Sequence, residues 1–299
     1  MPIASVRAQI NGTWYTLTLS GTNTYTATIT APGTTSYNRS GGYYDVTVEA
    51  TNTAGTVTTQ NATGLAALKL VVKEKVAPVI TIVSPTSGAA VTNNKQPVTF
   101  TVVDESGGSG VNLNSIVVKQ DGTAAAASTI TSTAITNGYS CTYTPASALS
   151  DGSHTVIITA SDNDGNAATQ KSTTYKVDTV PPTLNITAPA NELVTNSASL
   201  VVRGTTNDAT SSPVTVKMTL NNTDQGSVTV GTDGAFTKTL TLVNGVNTIV
   251  ITATDAAGKA SSVTRAVTLD TSKPVVKSAT ITPNPVDAGA TMVISVVVE

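Results

Sequence analysis

One stretch of alternating apolar and polar residues occurs three times in the chain. Each copy has the pattern Gly-x-[Tyr/His/Asn]-x-[Val/Ile]-x-[Val/Ile]-x-Ala-[Thr/Ser]-[Asn/Asp]-x-x-Gly, and the copies begin at Gly42, Gly152 and Gly245. A strict period of two predicts an extended strand with one buried face, and the Asn/Asp-x-x-Gly end predicts a turn into a second strand. The positions predicted to be buried are Val46, Val48, Val156, Ile158, Ile249 and Ile251.

An acidic residue followed four positions later by proline marks the end of each repeat. These pairs are Glu74/Pro78, Asp178/Pro182 and Asp270/Pro274, and a new apolar run follows each proline. Repeats of roughly 100 residues with many short strands predict an all-β chain of tandem immunoglobulin-like β-sandwiches. Short linkers stiffened by proline predict a semi-rigid rod. The predicted segments are 1–77, 78–181, 182–273 and a two-strand segment at 274–299.

The two ends of the chain differ from the complete repeat at 182–273. The first segment begins with a strand at Val6–Ile10, an Asn11-Gly12 hairpin turn, and strands at Thr13–Leu19 and Tyr25–Ile29, as if it started at a third strand. The last segment supplies an opening strand and a second strand, Met292–Val298. Three explanations remain open: the chain is part of a longer protein, both ends are complete as they stand, or the last hairpin of one chain completes the first segment of another by strand addition.

Composition narrows the classes of function. The chain of 299 residues carries a net charge of −2, with 11% charged and 4% aromatic residues, which argues against a nucleic-acid partner. The longest apolar runs fall short of the ~18 residues of a membrane helix, so no membrane insertion is expected. One Cys and one His exclude a disulfide within the chain and a Cys/His zinc site. The first residues do not resemble a signal peptide, which favours assembly in the cytoplasm or a lost leader.

Several segments resemble a known family. Residues 177–184 and 249–258 resemble the junction and the repeated strand of bacterial Ig-like repeats, and residues 94–99 and 281–289 resemble Ig-like proteins of prophage tail regions. The resemblance implies a non-enzymatic structural protein, associated with a phage tail in the virion. The alternative is an extracellular or cell-surface adhesin or spacer. The implied partners are further copies of the chain arranged head to tail, other virion or surface proteins, or host surface glycans.

Two single residues are candidates for chemistry, and both have a structural explanation. His154 occupies the repeat position held by Tyr44 and Asn247, where a polar side chain can hold a strand corner by hydrogen bonding. Cys141 lies in the predicted strand Tyr139–Tyr143, where a small apolar side chain is expected. A Cys–His nucleophile pair has no orienting group in the sequence. The sequence therefore predicts no catalytic residue and no cofactor.

The turn Asp162-Asn163-Asp164-Gly165-Asn166 is the best metal candidate in the sequence. Alternating oxygen ligands around a glycine turn suit Ca²⁺, and Asp178 at the next linker could add a ligand, as in calcium-stiffened adhesin repeats. The equivalent turns after Asn52 and Asp255 lack the second acid. We therefore expect a hairpin turn without metal, and stability that is largely indifferent to Ca²⁺.

Aromatic residues concentrate in the first segment, and the last strand is apolar on both faces. The aromatic set predicts either core packing or a contact surface for glycans or proteins; it comprises Trp14, Tyr15, Tyr25, Tyr37, Tyr43 and Tyr44. In the last strand Met292, Ile294, Val296 and Val298 form one face, which suits a strand buried inside a sandwich. This pattern predicts self-association through the hairpin at 274–299.

Overall fold

The computed structural model describes residues 2–299. The chain forms two compact units, with bounds at Met1–Thr179 and Val180–Glu299. The architecture is tandem immunoglobulin-like β-sandwiches, which confirms the predicted fold class. Helix in the described residues is limited to short 3-10 turns at Ser40–Gly42, Ala66–Leu68, Leu113–Ser115 and Ala127–Thr129. No helix among residues 2–299 has the length and apolar character needed to cross a membrane.

The first segment forms one five-stranded sheet with the order β3-β2-β1-β5-β6, beside a short two-stranded ladder of β4 and β7. Asn11 and Gly12 have φ values of 49° and 83°, which confirms the predicted two-residue hairpin turn. The strand predicted at Tyr25–Ile29 is shorter, because only its first residues pair with β2. The strands are β1 Ile3–Ile10, β2 Thr13–Gly21, β3 Thr24–Thr26, β4 Tyr44–Asp45, β5 Thr47–Asn52, β6 Val57–Gln60 and β7 Lys69–Leu70.

The next nine strands form two sheets that share one core. A four-stranded sheet, β13-β14-β10-β8, and a five-stranded sheet, β12-β11-β15-β16-β9, both contribute buried residues, including Phe100 and Val102 from the first and Val156, Ile158 and Tyr175 from the second. The strands are β8 Val79–Ser84, β9 Ala90–Val91, β10 Val98–Val103, β11 Val117–Gln120, β12 Thr123–Ala124, β13 Ile130–Ile135, β14 Gly138–Tyr143, β15 Gly152–Thr159 and β16 Lys171–Val177.

The second unit contains another sandwich, in which the smaller sheet has three strands instead of four. Sheet β17-β19-β22 and sheet β18-β24-β23-β20-β21 enclose a core that includes Val202, Leu240, Ile249 and Ile251. The short strand β18 pairs in parallel with β24 and was not expected from the sequence. The strands are β17 Thr183–Ala188, β18 Leu193–Thr195, β19 Ser199–Asn207, β20 Thr215–Leu220, β21 Thr223–Val228, β22 Ala235–Thr241, β23 Gly245–Thr254 and β24 Ala260–Leu269.

The chain ends in an antiparallel hairpin of β25 (Val276–Thr282) and β26 (Val293–Val298). Every residue of both strands is exposed. Because Ile281 pairs with Ile294 and Ala279 with Val296, these four side chains share one face of the hairpin, and Val298 lies on the same face of β26. This set of five residues is called the inner face of the hairpin below.

The repeated motif is buried to different degrees in its three copies. Val156 and Ile158 in β15, and Ile249 and Ile251 in β23, are 0% exposed, as the period of two predicts. The equivalent Val46 and Val48 of the first segment are only half-buried. Two hydrophobic core clusters are found among residues 2–299, and neither includes a residue of the first segment.

Candidate metal centre

Three carboxylates meet where the linker after β7 contacts the loop after β10. Glu74 comes from the linker, and Asp104 and Glu105 follow directly on β10. One carboxylate oxygen from each residue lies within 4.8 Å of the others. Asp104 is 4% exposed, and the other two side chains are half-buried. The loop thus gathers three acids at one partly buried position.

Backbone amides of the same loop fix two of these carboxylates. The Gly110 amide donates to Asp104 Oδ2 at 2.7 Å, and the Ser109 amide donates to Glu74 Oε1. Gly108 is tightly packed beside them: a Cβ there would lie 2.7 Å from Asp104 Oδ2 and 2.8 Å from Glu105 Oε1. The absence of a side chain at Gly108 therefore allows the backbone to close around the acids.

Each acid keeps one buried oxygen without a hydrogen-bond partner. These atoms are Glu74 Oε2, Asp104 Oδ1 and Glu105 Oε2. Among the ion pairs formed by residues 2–299, none includes any of the three acids. Buried charges of one sign without a counter-charge are costly, so the arrangement favours either protonation or a bound cation.

The pKa of the Asp104 carboxyl is raised, which reflects the same cost of burying neighbouring negative charges. Burial raises the pKa of the Asp104 carboxyl, and the negative charges of Glu74, Asp162 and Asp164 raise it further, against the lowering effect of the Gly110 amide. Burial and the neighbouring acids therefore disfavour the charged form of Asp104.

Asp162 and Asp164, the acids singled out in the sequence, use their oxygens differently. Asp162 accepts hydrogen bonds from the Gly165 and Asn166 amides at 2.6 and 2.8 Å and from Asn166 Nδ2 at 2.7 Å. Its counterparts Asn52 and Asp255 also accept two turn amides, from the second and fourth residues after them instead of the third and fourth. The carboxylate of Asp162 thus holds the hairpin turn.

Asp164 connects the turn to the first segment. Its Oδ2 accepts a hydrogen bond from Thr35 Oγ1 at 2.5 Å and from the Glu74 amide at 3.0 Å. Asn38 Nδ2 also donates to the Gly108 carbonyl at 2.6 Å. The candidate metal centre therefore lies at a hydrogen-bonded contact between the first segment and the sandwich formed by β8–β16.

The structure corrects the idea that Asp178 completes a site with Asp162 and Asp164. In the hairpin of β15 and β16, Gly152 pairs with Val177 and Ile158 pairs with Lys171. Asp178 therefore lies at the opposite end of this hairpin from Asp162, about 20 Å away at ~3.3 Å per residue. The acid that approaches the turn is Glu74 of the preceding linker. The spacing of acids in the sequence did not reveal this approach, because it depends on the contact between the linker and the loop that carries Asp104 and Glu105.

His154 forms the strand corner expected from its repeat position. Its Nδ1 donates to Asp121 Oδ2 at 2.7 Å and its Nε2 donates to the Ser150 carbonyl at 2.8 Å. Burial opposes the charged ring, but the bonds to Asp121 and Ser150 and the charge of Asp121 prevail and raise the pKa of His154. With an acceptor at each nitrogen, the protonated ring is fully satisfied.

Asn247 repeats this corner in the second unit. Its Nδ2 donates to the Val243 carbonyl at 2.7 Å, four residues earlier, as His154 does to Ser150. Asn221 takes the place of Asp121: it contacts the Asn247 side chain and accepts the Thr248 amide at 2.8 Å. Two neutral amides therefore hold this corner in one repeat, where an imidazole and a carboxylate hold it in the other.

Cys141 is packed in the core of its sandwich. It lies in β14, opposite Phe100 of β10, and is 1% exposed. Burial raises the pKa of its thiol, which disfavours the thiolate needed for nucleophilic attack. The residue acts as a small apolar side chain.

The aromatic residues of the first segment do not form one platform. Adjacent residues of a strand point to opposite faces, so Trp14 and Tyr15 lie on different sides of β2. Arg7 stacks on Trp14 at 4.1 Å and Arg39 on Tyr44 at 3.7 Å. Only Tyr44 of the set is fully buried, at 1% exposure, and Tyr37 is 49% exposed. A glycan partner stays a prediction.

Family models match two parts of the chain. Residues 80–179 match the model of a bacterial Ig-like domain, and residues 182–271 match the model of glucodextranase, domain B. These matches support an Ig-like repeat protein. Such domain families are generally non-catalytic. No curated protein sequence matches the chain.

Several solved structures resemble the chain at low sequence identity. The fibronectin(III)-like modules of CbhA from Clostridium thermocellum are 18% identical, with a TM-score of 0.41, over 64% of this chain and 94% of that chain. Domains A168–A170 of titin are 14% identical, with a TM-score of 0.40, over 76% and 73% of the two chains. Immunoglobulin domains 1–4 of Sidekick-1 are 12% identical, with a TM-score of 0.37, over 89% and 67%.

Proposed function

We propose that this chain is a non-catalytic structural protein of a phage or prophage tail, and that it assembles by docking the hairpin of one copy on the first sheet of the next. The observation that carries the proposal is the unequal burial of one motif. Val156 and Ile158 are sealed from solvent, whereas Val46 and Val48 are half-buried, and an exposed apolar hairpin is present in the same chain.

The complete repeats supply the template for this docking. In each, an antiparallel pair of opening strands, β8–β10 or β17–β19, packs across the core from the sheet that contains the motif strand. The hairpin β25–β26 is a third such pair, and it follows Pro274 as the others follow Pro78 and Pro182. Its inner face is the apolar surface that this template would place over the first sheet.

The receiving face of the first sheet is apolar and incompletely buried. On β1 the side chains of Val6, Ala8 and Ile10 share one face, and the register brings Leu17 and Ala50 beside Val6. Val6 and Ala8 are buried, whereas the other three side chains are half-buried. Polar residues occupy the opposite face, where Arg7 pairs with Glu49. Each Val or Ile that becomes fully buried contributes about 1.5–3 kcal/mol, from which the costs of association are subtracted.

Two further observations favour a non-catalytic role. The single histidine has both ring nitrogens committed to Asp121 and Ser150, and the single cysteine is buried with a raised pKa. The assignment to a phage tail rests on the resemblance of residues 94–99 and 281–289 to prophage tail proteins. The match of residues 182–271 to an accessory domain of glucodextranase favours the second candidate, a spacer or binding module of a surface protein that handles carbohydrate.

The test compares the full chain with residues 1–273 by analytical ultracentrifugation over a range of concentrations. Docking predicts that the full chain associates progressively, while the shortened chain is monomeric and keeps its β-sheet circular dichroism. A full chain that stays monomeric at high concentration would refute docking. Mass spectrometry of purified tail particles and of cell-surface fractions from the source bacterium separates the two cellular assignments.

A further inference from the structure

We infer that the Glu74–Asp104–Glu105 cluster is a Ca²⁺ site that joins the linker after the first segment to the sandwich formed by β8–β16. The inference rests on two observations: each of the three acids keeps one buried carboxylate oxygen without a hydrogen-bond partner, and the three acids bring carboxylate oxygens within 4.8 Å of one another. Asp104, the most deeply placed of the three acids, is 96% buried, since 4% of its surface is exposed.

The spacing of the oxygens suits calcium. Ca²⁺–oxygen bonds are about 2.3–2.6 Å long, so two ligands of one ion are at most ~5 Å apart. One oxygen from each acid lies within 4.8 Å of the other two. Calcium also accepts mixed sets of carboxylates, carbonyls and waters in flexible geometry, whereas Mg²⁺ demands a near-ideal octahedron. The three acids would supply half of a calcium shell, and waters or loop carbonyls would complete it.

Two of the three acids are held in place by the loop, because one oxygen of each carboxylate accepts a hydrogen bond from a loop amide. Asp104 Oδ2 and Glu74 Oε1 are held by the Gly110 and Ser109 amides, which leaves Oδ1 and Oε2 directed away from those donors. Asp162 in the neighbouring turn, by contrast, accepts hydrogen bonds at both oxygens. The cluster thus combines fixed orientation with unused ligand atoms.

A bound ion would join two parts of the fold. Glu74 lies on the linker that enters the second segment, and its amide is held by Asp164. Asp104 and Glu105 belong to the loop that follows β10. Coordination therefore fixes the linker to that loop, and we expect unfolding of residues 1–179 to respond to calcium.

The experiment uses the full chain, the double variant Glu74→Gln/Asp104→Asn, and the control Glu192→Gln, an exposed acid of the second unit. Isothermal titration with CaCl₂ should show one fewer bound equivalent for the double variant than for the wild type and the control. Calorimetry of the wild type should show Tm rising by about 4 °C or more between EDTA and millimolar Ca²⁺, with a smaller rise for the double variant. Millimolar Mg²⁺ should reproduce little of the effect.

The sign of the change in EDTA separates a metal site from a structural cluster. Removing unpaired negative charges should leave Tm in EDTA unchanged or higher, because the acids repel one another without the ion. If the acids only hold the loop, the double variant loses stability equally with and without Ca²⁺, and the inference is overturned. An unchanged number of bound Ca²⁺ ions would overturn it as well. Neither result depends on association through the hairpin, which residues 1–273 test separately.

Discussion

At the residue scale, the corner at His154 shows how one position accepts different chemistry. His154 and Asn247 both donate to the carbonyl four residues earlier, but His154 donates to Asp121 whereas Asn247 accepts from Asn221. The imidazolium requires an acidic partner, and the amide requires only another amide. The repeat pattern could predict the corner, because the position recurs, but it could not predict Asp121, which lies on a different hairpin.

The His154–Asp121 pair should make stability depend on pH. The raised pKa of His154 adds stability below its unfolded value of about 6.5, and this stability is lost as pH rises through the folded pKa. The pKa of Asp121 is lowered: burial opposes this, but the bonds from His154, Thr155 and Gln120 and the charge of His154 prevail. Its contribution is present above about pH 3.9 and is lost as pH falls through the folded pKa.

Both contributions coincide between about pH 4 and pH 6.5, so unfolding of the wild type should become easier from pH 6 to pH 8. The double variant Asp121→Asn/His154→Asn, which copies the Asn221–Asn247 corner, should remove most of this dependence. The measurement is urea unfolding at each pH. Equal slopes for the two proteins would mean that another group controls the dependence.

A matched pair of valines tests the unequal burial of the motif. Val156→Ala opens a cavity in a sealed core and should cost about 2–3 kcal/mol, whereas Val48→Ala at the half-buried equivalent position should cost about 1 kcal/mol or less. Denaturant unfolding of residues 1–273 measures both without association. Equal losses would show that the first sheet is as well covered as the complete repeats.

At the element scale, period and turn chemistry predicted most strands, and tertiary pairing set the rest. The turns at Asn11-Gly12 and Asn221-Asn222 adopt positive φ and close two-residue hairpins, as their residue types indicate. Strand β18 has no periodic sequence pattern. Its three residues form a strand by pairing with the edge of β24. The sequence pattern did not predict the Glu74–Asp104–Glu105 cluster either, because the contact between a linker and a loop brings its members together.

Adjacent valines of β26 provide a test of which hairpin face docks. Val296 lies on the inner face and Val297 on the opposite one, and they are similarly exposed at 51% and 56%. Val296→Asp should abolish association of the full chain, because docking would bury a charge. Val297→Asp should leave association largely intact, since the outward Val79 and Val83 of the equivalent strand β8 are also exposed. Sedimentation velocity compares the two; loss of association in both variants would contradict docking through a single face.

At the scale of the whole molecule, the chain contains more motif-bearing sheets than opening pairs packed on them. Sheets with the repeated strand occur three times, and in two of them an opening pair shares the core. The remaining sheet and the remaining pair lie in different compact units of the chain, Met1–Thr179 and Val180–Glu299. The proposed complementation between copies would bury both surfaces by a packing that the chain already uses twice.

Complementation in trans should therefore work with separated parts. Residues 1–179 form a compact unit with their own core, so they should fold without the rest of the chain. A peptide of residues 274–299 should bind this unit saturably and raise its Tm, because it buries the half-exposed Val46 and Val48 beneath its inner face. The same peptide with Val296→Asp should not bind, and residues 180–273, whose motif strand is already sealed, should bind neither peptide. Isothermal titration measures all four combinations. Binding of the wild-type peptide to residues 180–273 would show that the hairpin binds non-specifically, since the sheet with the motif strand is already covered there.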